Sequence, residues 1–303
     1  MISGSVRLEV PTLCGNLGPG YDTFGLALAH YNYVEMKIIP MGLKVEITGQ
    51  GAEFLPKDAA SVVYKAADLV FEKCGESLSG LEIRLENNIP IGKGLGSFSG
   101  AVAAGIFGAN QLLRQPFEVE KLISMAARKV GSASNVAAAF LGNFAIVERY
   151  AEIYTSFPLP EQMKPVVFVP EVPTFNPQAV RKSIPKKVSL ENANFNISHA
   201  TLLALGMMCK RTEVLKLAFA DQLVNSHRMS CFPGIREVFL SLSTAPDTYG
   251  VSFCNDGPSF VCFFDRDHCY QEQIKKITRL LKQHQIKVSV IDVPVSTRGI
   301  TAI

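Results

Sequence analysis

Much is scarce or missing in this chain of 303 residues, and each absence narrows what it can be. Charge of one sign does not dominate: 30 basic residues stand against 27 acidic ones, a formal net charge of +3. A protein that grips nucleic acid through its backbone needs a basic patch or stripe, so no nucleic-acid partner is expected. A long apolar run is missing too. Mean hydropathy is +0.19. Yet the longest weakly polar stretch, Phe98 to Leu113, contains Gly, Asn and Gln and falls short of the ~20 apolar residues of a spanning helix. No membrane segment is expected. The first residues carry no basic region followed by an apolar run, so no secretory signal is expected. Seven cysteines are scattered without a CxxC spacing, and five histidines without an HExxH spacing. Reduced thiols in a cytoplasmic protein fit this usage, and no zinc site is expected. Internal repeats and low-complexity tracts are also missing. What remains, 48% hydrophobic and 19% charged, is ordinary globular composition, which excludes disorder and fibres. The length suits one large domain or two modest ones.

The residue pattern is mixed. Val6, Leu8 and Val10 alternate with polar residues as in a half-buried strand. So do Val34, Met36 and Ile38, then Val45 and Ile47, then Leu81, Ile83 and Leu85. Ser61 to Lys73 has apolar residues at helical spacing, and an Ala/Gly-rich helix is expected to run to about Leu113. The first half therefore reads as a strand-rich layer with helices on one face, an α+β pattern. In the second half, strands are expected at 166–169, 251–253, 260–264 and 288–291. Helices are expected at 177–183, 194–209, 233–243 and 271–284. The Pro pair in Phe157-Pro158-Leu159-Pro160 suggests a linker. It divides the chain into domains at 1–157 and 158–303.

Three Gly-containing turns could carry chemistry. Gly92-Lys93-Gly94-Leu95-Gly96-Ser97 leads straight into the expected helix. Glycines let a backbone bring its N–H groups close to an anion, and a helix N-terminus favours phosphate. The same turn could equally be a tight connection packed on a sheet. Its spacing is neither that of a Walker A loop nor that of a Rossmann fingerprint. Asn16 to Asp22 is a polar turn after the first strand, where Asn and Asp could act as caps. Asn255 to Ser259 is the third turn, between two expected strands.

Together these turns resemble the three signature motifs of the GHMP kinase superfamily, and within it the chain most resembles the homoserine kinases. Gly15 to Asp22 is similar to Ala-Asn-Leu-Gly-Pro-Gly-Phe-Asp. Pro90 to Ser99 is similar to Pro-x-x-x-Gly-Leu-Gly-Ser-Ser-Ala, and Asn255 to Ser259 to Gly-Ala-Gly-Pro-Ser. Asn135 to Gly142, the segment from Glu171 to Pro185, Phe195 to Ser198, His227-Arg228 and Val295 to Gly299 add further echoes along nearly the whole chain. The resemblance implies a two-domain α+β GHMP kinase fold. Its N-terminal domain is of the ribosomal-protein-like, nucleotide-binding type, and its C-terminal domain is ferredoxin-like. ATP and a small amino-acid substrate would lie in the cleft between them, and a homodimer is the candidate assembly. Pro90, Gly92, Lys93, Gly94, Leu95, Gly96 and Ser97 would wrap the ATP phosphates, with Ser99 and Gly257 beside them. Asn16 and Asp22 would contact the substrate. Arg181 and Arg228 would hold its carboxylate and the transferring phosphoryl group, which suits the planar fork of arginine. Arg181 and Asn135 are the candidate catalytic residues.

The departures from the motifs cluster. Phe98 stands where the family has a magnesium-ligating Ser, and Val130 where it has a ligating Glu. Ser132 and Ser134 replace a His and an Asp, and Gly-Ala-Gly becomes Asn255-Asp256-Gly257. Magnesium wants oxygen ligands, so ATP and magnesium are the implied cofactors but with the metal site compromised. No protein metal ligand is assigned, although Ser99, Ser124, Ser132 or Ser134 could supply oxygen under a shifted alignment. Three functions remain open. One is ATP-dependent phosphorylation of homoserine or a related hydroxy-amino acid. Another is a homologue that keeps an amino-acid pocket without phosphoryl transfer, for binding, regulation or a different reaction on a homoserine-derived substrate. A different small-molecule kinase of the superfamily is the third.

Overall fold

The computed structural model describes residues 4–172 and 176–303. Strand β1 (Ser5–Gly15) turns at residues 16–23 into the long β2 (Phe24–Ile38), its antiparallel neighbour, with a register shift between Pro11 and Thr12. β3 (Gly42–Gly49) connects through helix α1 (Val62–Lys73) to β4 (Gly80–Asn87), which runs parallel to it and antiparallel to β2. Ser61 caps α1 by accepting the Tyr64 N–H at 3.5 Å. Then follow α2 (Ser97–Leu112), α3 (Val119–Val130), α4 (Ala133–Leu141), β5 (Phe144–Glu148) and β6 (Ile153–Phe157). The four helices bury Val63, Val102, Ile106 and Ala137 against Leu8, Val34, Met36 and Ile83 of the strands. The small residues of α2 are what let it sit so close. A Cβ on Gly105 would lie 2.4 Å from the Val63 carbonyl oxygen, and one on Gly108 2.4 Å from Met36 Sδ.

The second half opens with β7 (Met163–Pro170) and continues through α5 (Pro177–Ser183), α6 (Leu190–Met208), α7 (Thr212–Ala218), α8 (Asn225–Ser230) and α9 (Ile235–Ser243). β8 (Thr248–Phe253), β9 (Phe260–Asp265), α10 (Tyr270–Gln283), β10 (Val288–Ile291) and β11 (Thr301–Ala302) complete it. β10, β7, β9 and β8 form an antiparallel sheet in that order. Its two faces follow the period of two along a strand. Phe168, Phe253 and Phe260 pack under α9 and α10. Val167, Val261 and Phe263 face Leu203, Leu215 and Phe219, and the same cluster takes in Leu17, Phe24, Leu26 and Leu95 from the first half. That shared core fixes the two sheets against each other.

The architecture is the expected α+β one, and the expected strands and helices are present, with ends that differ by up to several residues in either direction. α3, α4, α7, α8, β5, β6 and β11 were not among the expected elements. The segment Ala133–Leu141 is almost entirely buried, so no polar face marks its helical period. The expected division at residue 157 falls between the last strand of the first sheet and the first strand of the second. The chain's last residues, however, return: β11 pairs with β1, and Val295 bridges to Leu28 of β2. Of the family-like segment Glu171 to Pro185, Pro173, Thr174 and Phe175 lie outside the described residues. Among the described residues no helix is long and apolar enough to cross a membrane.

Candidate active site

Three turns and two helix starts meet at one cavity of about 560 Å³. The turn after β1 is held by its own side chains. Asn16 (φ +60°) accepts the backbone N–H of Asp22 (φ +55°) at 2.7 Å. One carboxylate oxygen of Asp22 accepts the Ala133 N–H at the start of α4, at 2.8 Å. The other meets the Arg149 guanidinium at 3.0 Å.

The glycine turn before α2 uses left-handed backbone at Gly94 (φ +85°) and Gly96 (φ +76°). At both positions space as well as φ excludes a side chain. A Cβ on Gly94 would sit 2.2 Å from the Cys254 carbonyl oxygen, and one on Gly96 2.4 Å from Leu13 Cβ. No side chain caps α2 at Gly96, and no acidic residue lies in its first turn. Its N-terminal N–H groups and the positive end of its dipole therefore face the cavity uncompensated, a setting for a polyanion.

The turn between β8 and β9 closes the site. Asn255 (φ +51°), where the motif has a glycine, keeps the left-handed backbone and uses its side chain as a fastener. Its amide donates to the carbonyls of Gly94 at 2.7 Å and Leu13 at 3.3 Å, and its oxygen accepts from Asn135 at 2.5 Å. Asp256 lies between two arginines, 2.5 Å from Arg181 Nε and 3.1 Å from an Arg228 Nη. Arg228 is 0% exposed. It is placed by Asp221, whose carboxylate accepts the backbone N–H groups of Leu223, Val224 and Asn225 ahead of α8 and the amide of Asn196 on α6. Burial pulls the Arg228 guanidinium below its ordinary value, and Asp256 opposes that pull most strongly. Its Nε and second Nη find no hydrogen-bond partner among the described residues.

The structure brings Asn16, Asp22, Gly92, Gly94, Leu95, Gly96, Ser97, Ser99, Asn135, Arg181 and Gly257 to the cavity wall, as the motifs imply. Three residues differ. Lys93 turns away and donates to the Pro170 carbonyl at 3.4 Å. Pro90 and Arg228 are not part of the wall: Pro90 shapes the approach to the glycine turn, and Arg228 stands behind Asp256. Phe98 and Val130 do line the cavity, with Phe98 53% exposed. Two participants were missed. Arg149 sits just past β5, an element that no pattern revealed. Asp256 was visible only as an added negative charge, because nothing in the chain order shows that both arginines converge on it.

A second cavity of about 320 Å³ adjoins the first and shares Gly92, Ser97 and Phe98 with it. Its wall is mostly apolar, with Val34, Ile47, Leu55, Val62 and Leu85, and Asn32 and Asn87 as polar points. Among the described residues no group of three or more His, Cys, Asp or Glu is placed to hold a metal ion. Both buried cysteines at the site stay as thiols: Cys254 donates to Cys14 at 2.7 Å, and burial pushes it well above the ordinary thiol range.

A two-layer frame with a glycine turn opening onto an uncapped helix is the architecture of a GHMP kinase. The family model for the GHMP kinases N terminal domain matches residues 61–143. The chain is similar to a homoserine kinase of Caldanaerobacter subterraneus, 33% identical over 263 residues, which is 86% of this chain and 84% of that one. It is also similar to a homoserine kinase of Petrotoga mobilis, 31% identical over 95% of this chain and 94% of the other. The crystal structure of homoserine kinase from Cytophaga hutchinsonii superposes with a TM-score of 0.89 at 25% identity, covering 99% and 97% of the two chains. The chain belongs to the homoserine kinase family.

Proposed function

We propose that this protein transfers the terminal phosphoryl group of ATP to the hydroxyl of homoserine or a close hydroxy-amino acid. The observation that carries the reading is the joined pair of cavities. An apolar slot for a flat base opens through Gly92 and Ser97 onto a glycine cradle at the uncapped N-terminus of a 16-residue helix. A Cβ on Gly94, Gly96 or Gly257 would strike the neighbouring turn or strand, so glycine at these positions lets the turns interlock into a backbone-lined cradle at the helix N-terminus. Beyond it lie the groups that suit an amino acid: Asp22 and Asn16 for an ammonium group, and Arg181 with Arg228 for a carboxylate. Asn135 lines the same cavity, and its buried Oδ1 has no hydrogen-bond partner among the described residues.

ATP fits these residues; a protein-held magnesium does not. Phe98 and Val130 offer no oxygen, and the Asp22 carboxylate is already engaged by Arg149 and the Ala133 N–H. The other carboxylate of the cavity, Asp256, is engaged by Arg181 and Arg228, which leaves the Ser97, Ser99 and Ser132 hydroxyls and amide oxygens, whereas magnesium is usually held by one or two carboxylates. Phosphoryl transfer rests on positioning and charge neutralisation. Turnover is accordingly expected well below the ~1–100 per second of typical kinases.

These same features favour a second reading, a homologue that retains the amino-acid pocket but has lost phosphoryl transfer. A thermal-shift series with ATP, Mg-ATP and homoserine, run beside a phosphoryl-transfer assay, separates the two. Stabilisation by Mg-ATP with slow homoserine phosphorylation supports the kinase. Stabilisation by homoserine alone supports the second reading.

A further inference from the structure

We propose that Arg149 and Asp256 are built-in counter-ions of the amino-acid subsite, standing where the ammonium and carboxylate groups of a free amino acid would bind. The inference rests on the assignment of Asn16, Asp22, Arg181 and Arg228 to an amino-acid substrate. Each charged group assigned to that substrate is already paired within the chain. The Asp22 carboxylate meets the Arg149 guanidinium at 3.0 Å, and Asp256 bridges Arg181 at 2.5 Å and Arg228 at 3.1 Å. Both counter-ions line the same cavity.

The two pairs differ in solvation. Arg149 and Arg181 are 52% and 67% exposed at their side chains, so their halves open readily to solvent. Arg228 is 0% exposed and Asp256 18%. A buried guanidinium cannot be left without an anion, so Asp256 holds its place until another carboxylate takes over. Arg228 is buried behind Asp256 and outside the cavity wall, so an incoming carboxylate reaches its guanidinium only as Asp256 swings out. An amino acid must therefore displace an intramolecular competitor at each end. The device acts on specificity: a ligand with one charged end meets one competitor, and a zwitterion meets both.

The experiment is calorimetric titration of the full chain, wild type against Asp256→Asn and Arg149→Gln, with three probes. Homoserine carries both charges, 3-aminopropan-1-ol only the ammonium, and 4-hydroxybutanoate only the carboxylate. Asp256→Asn keeps a hydrogen-bonding side chain beside Arg228, and Arg149→Gln changes an exposed residue, so that half of the test does not depend on the buried cation. Asp256→Asn should tighten homoserine and 4-hydroxybutanoate by about tenfold or more and leave 3-aminopropan-1-ol unchanged. Arg149→Gln should tighten homoserine and 3-aminopropan-1-ol and leave 4-hydroxybutanoate unchanged. Homoserine bound equally by all three proteins overturns the counter-ion assignment while leaving the amino-acid site standing. So does a response that does not distinguish the two single-charge probes. Homoserine bound by none of them removes the amino-acid site, and the assignment with it.

Discussion

Gly257→Ala is the sharpest perturbation of the phosphate cradle, because its consequence can be worked out in ångströms. Gly257 does not use left-handed backbone, so alanine brings no torsional strain. The difficulty is space: its Cβ would lie 2.1 Å from the Lys93 carbonyl oxygen and 2.3 Å from the Gly94 nitrogen. Ordinary contact begins near 3.4 Å, so the Lys93–Gly94 peptide must retreat by about 1.3 Å. That peptide is tied to the Asn255 turn, by the Asn255 amide on the Gly94 oxygen at 2.7 Å and the Ser259 N–H on the Lys93 oxygen at 3.3 Å. Relief on one side therefore breaks bonds on the other. Overpacking of this kind costs about 1–3 kcal/mol of stability, and a misplacement near 1 Å can cost ~100-fold in rate. Gly92→Ala is the control for stability. It has φ +73° but nothing within 4 Å of its Cβ, so in unfolding it carries only left-handed strain of roughly 1–2 kcal/mol. Urea unfolding of both variants and Mg-ATP titration of Gly257→Ala decide the matter. If Gly257→Ala binds Mg-ATP like the wild type, or unfolds no more easily than Gly92→Ala, the interlock of the turns is not what shapes the cradle.

Three further outcomes follow from the charges and from the metal site. Arg181→Ala should leave stability within about 1 kcal/mol, since the residue is largely exposed, whereas Arg228→Ala should cost about 3 kcal/mol or more by breaking a buried pair; urea unfolding reads both, and equal losses would contradict the burial argument. His30 is held below its ordinary value by burial, so the unfolded chain takes up the proton first: its contribution is fully present above pH ~6.5 and is lost as pH falls below it, and His30→Gln should flatten that limb of the stability–pH curve. Phe98→Ser with Val130→Glu should introduce magnesium binding measurable by calorimetry and raise turnover; no gain in either would mean that the metal is not held between α2 and the end of α3.

How much was legible varied with the physics of each segment. The glycine turn, the turn after β1 and the turn before β9 were readable because their chemistry is local: a left-handed backbone or a close approach selects glycine or asparagine where it occurs. Strands with one buried face announced themselves by alternation, as in Val6, Leu8 and Val10. Arg149 could not be found this way, since its role depends on β5 returning beside β2, and this five-residue strand, buried at three positions and half-buried at a fourth, shows no clear alternation. Lys93 shows what a motif leaves open. Its place in the motif assigns it to the turn, whereas a side chain's direction is set by the backbone around it, and here that backbone sends it to Pro170. The paired roles of Asp256 and Arg228 needed α6, α8 and the β8–β9 turn in one place, which no spacing along the chain reports.

The departures from the family motifs share one physical direction. Phe98 and Val130 take oxygen away from the phosphate end. On the proposed assignment, Asp256, with Arg149 from outside the motifs, adds charge that neutralises the substrate end from within. Asn255 ties its own turn to the glycine turn, to β1 and to α4 by side-chain bonds that need no ligand. A site built for catalysis leaves its strongest interactions unmade until the transition state forms. In this protein several ion pairs are already made in the resting chain; on the proposed assignment of the amino-acid subsite, substrate binding must first break the Asp256 and Arg149 pairs. Those exchanges draw on the same binding energy that would otherwise position the phosphoryl group. The cost therefore falls on the amino-acid end as well as on the metal end. Restoring oxygen at positions 98 and 130 should then recover only part of the rate in an otherwise unchanged chain. Full recovery from that double substitution alone would show that the internal ion pairs exert no drag on catalysis.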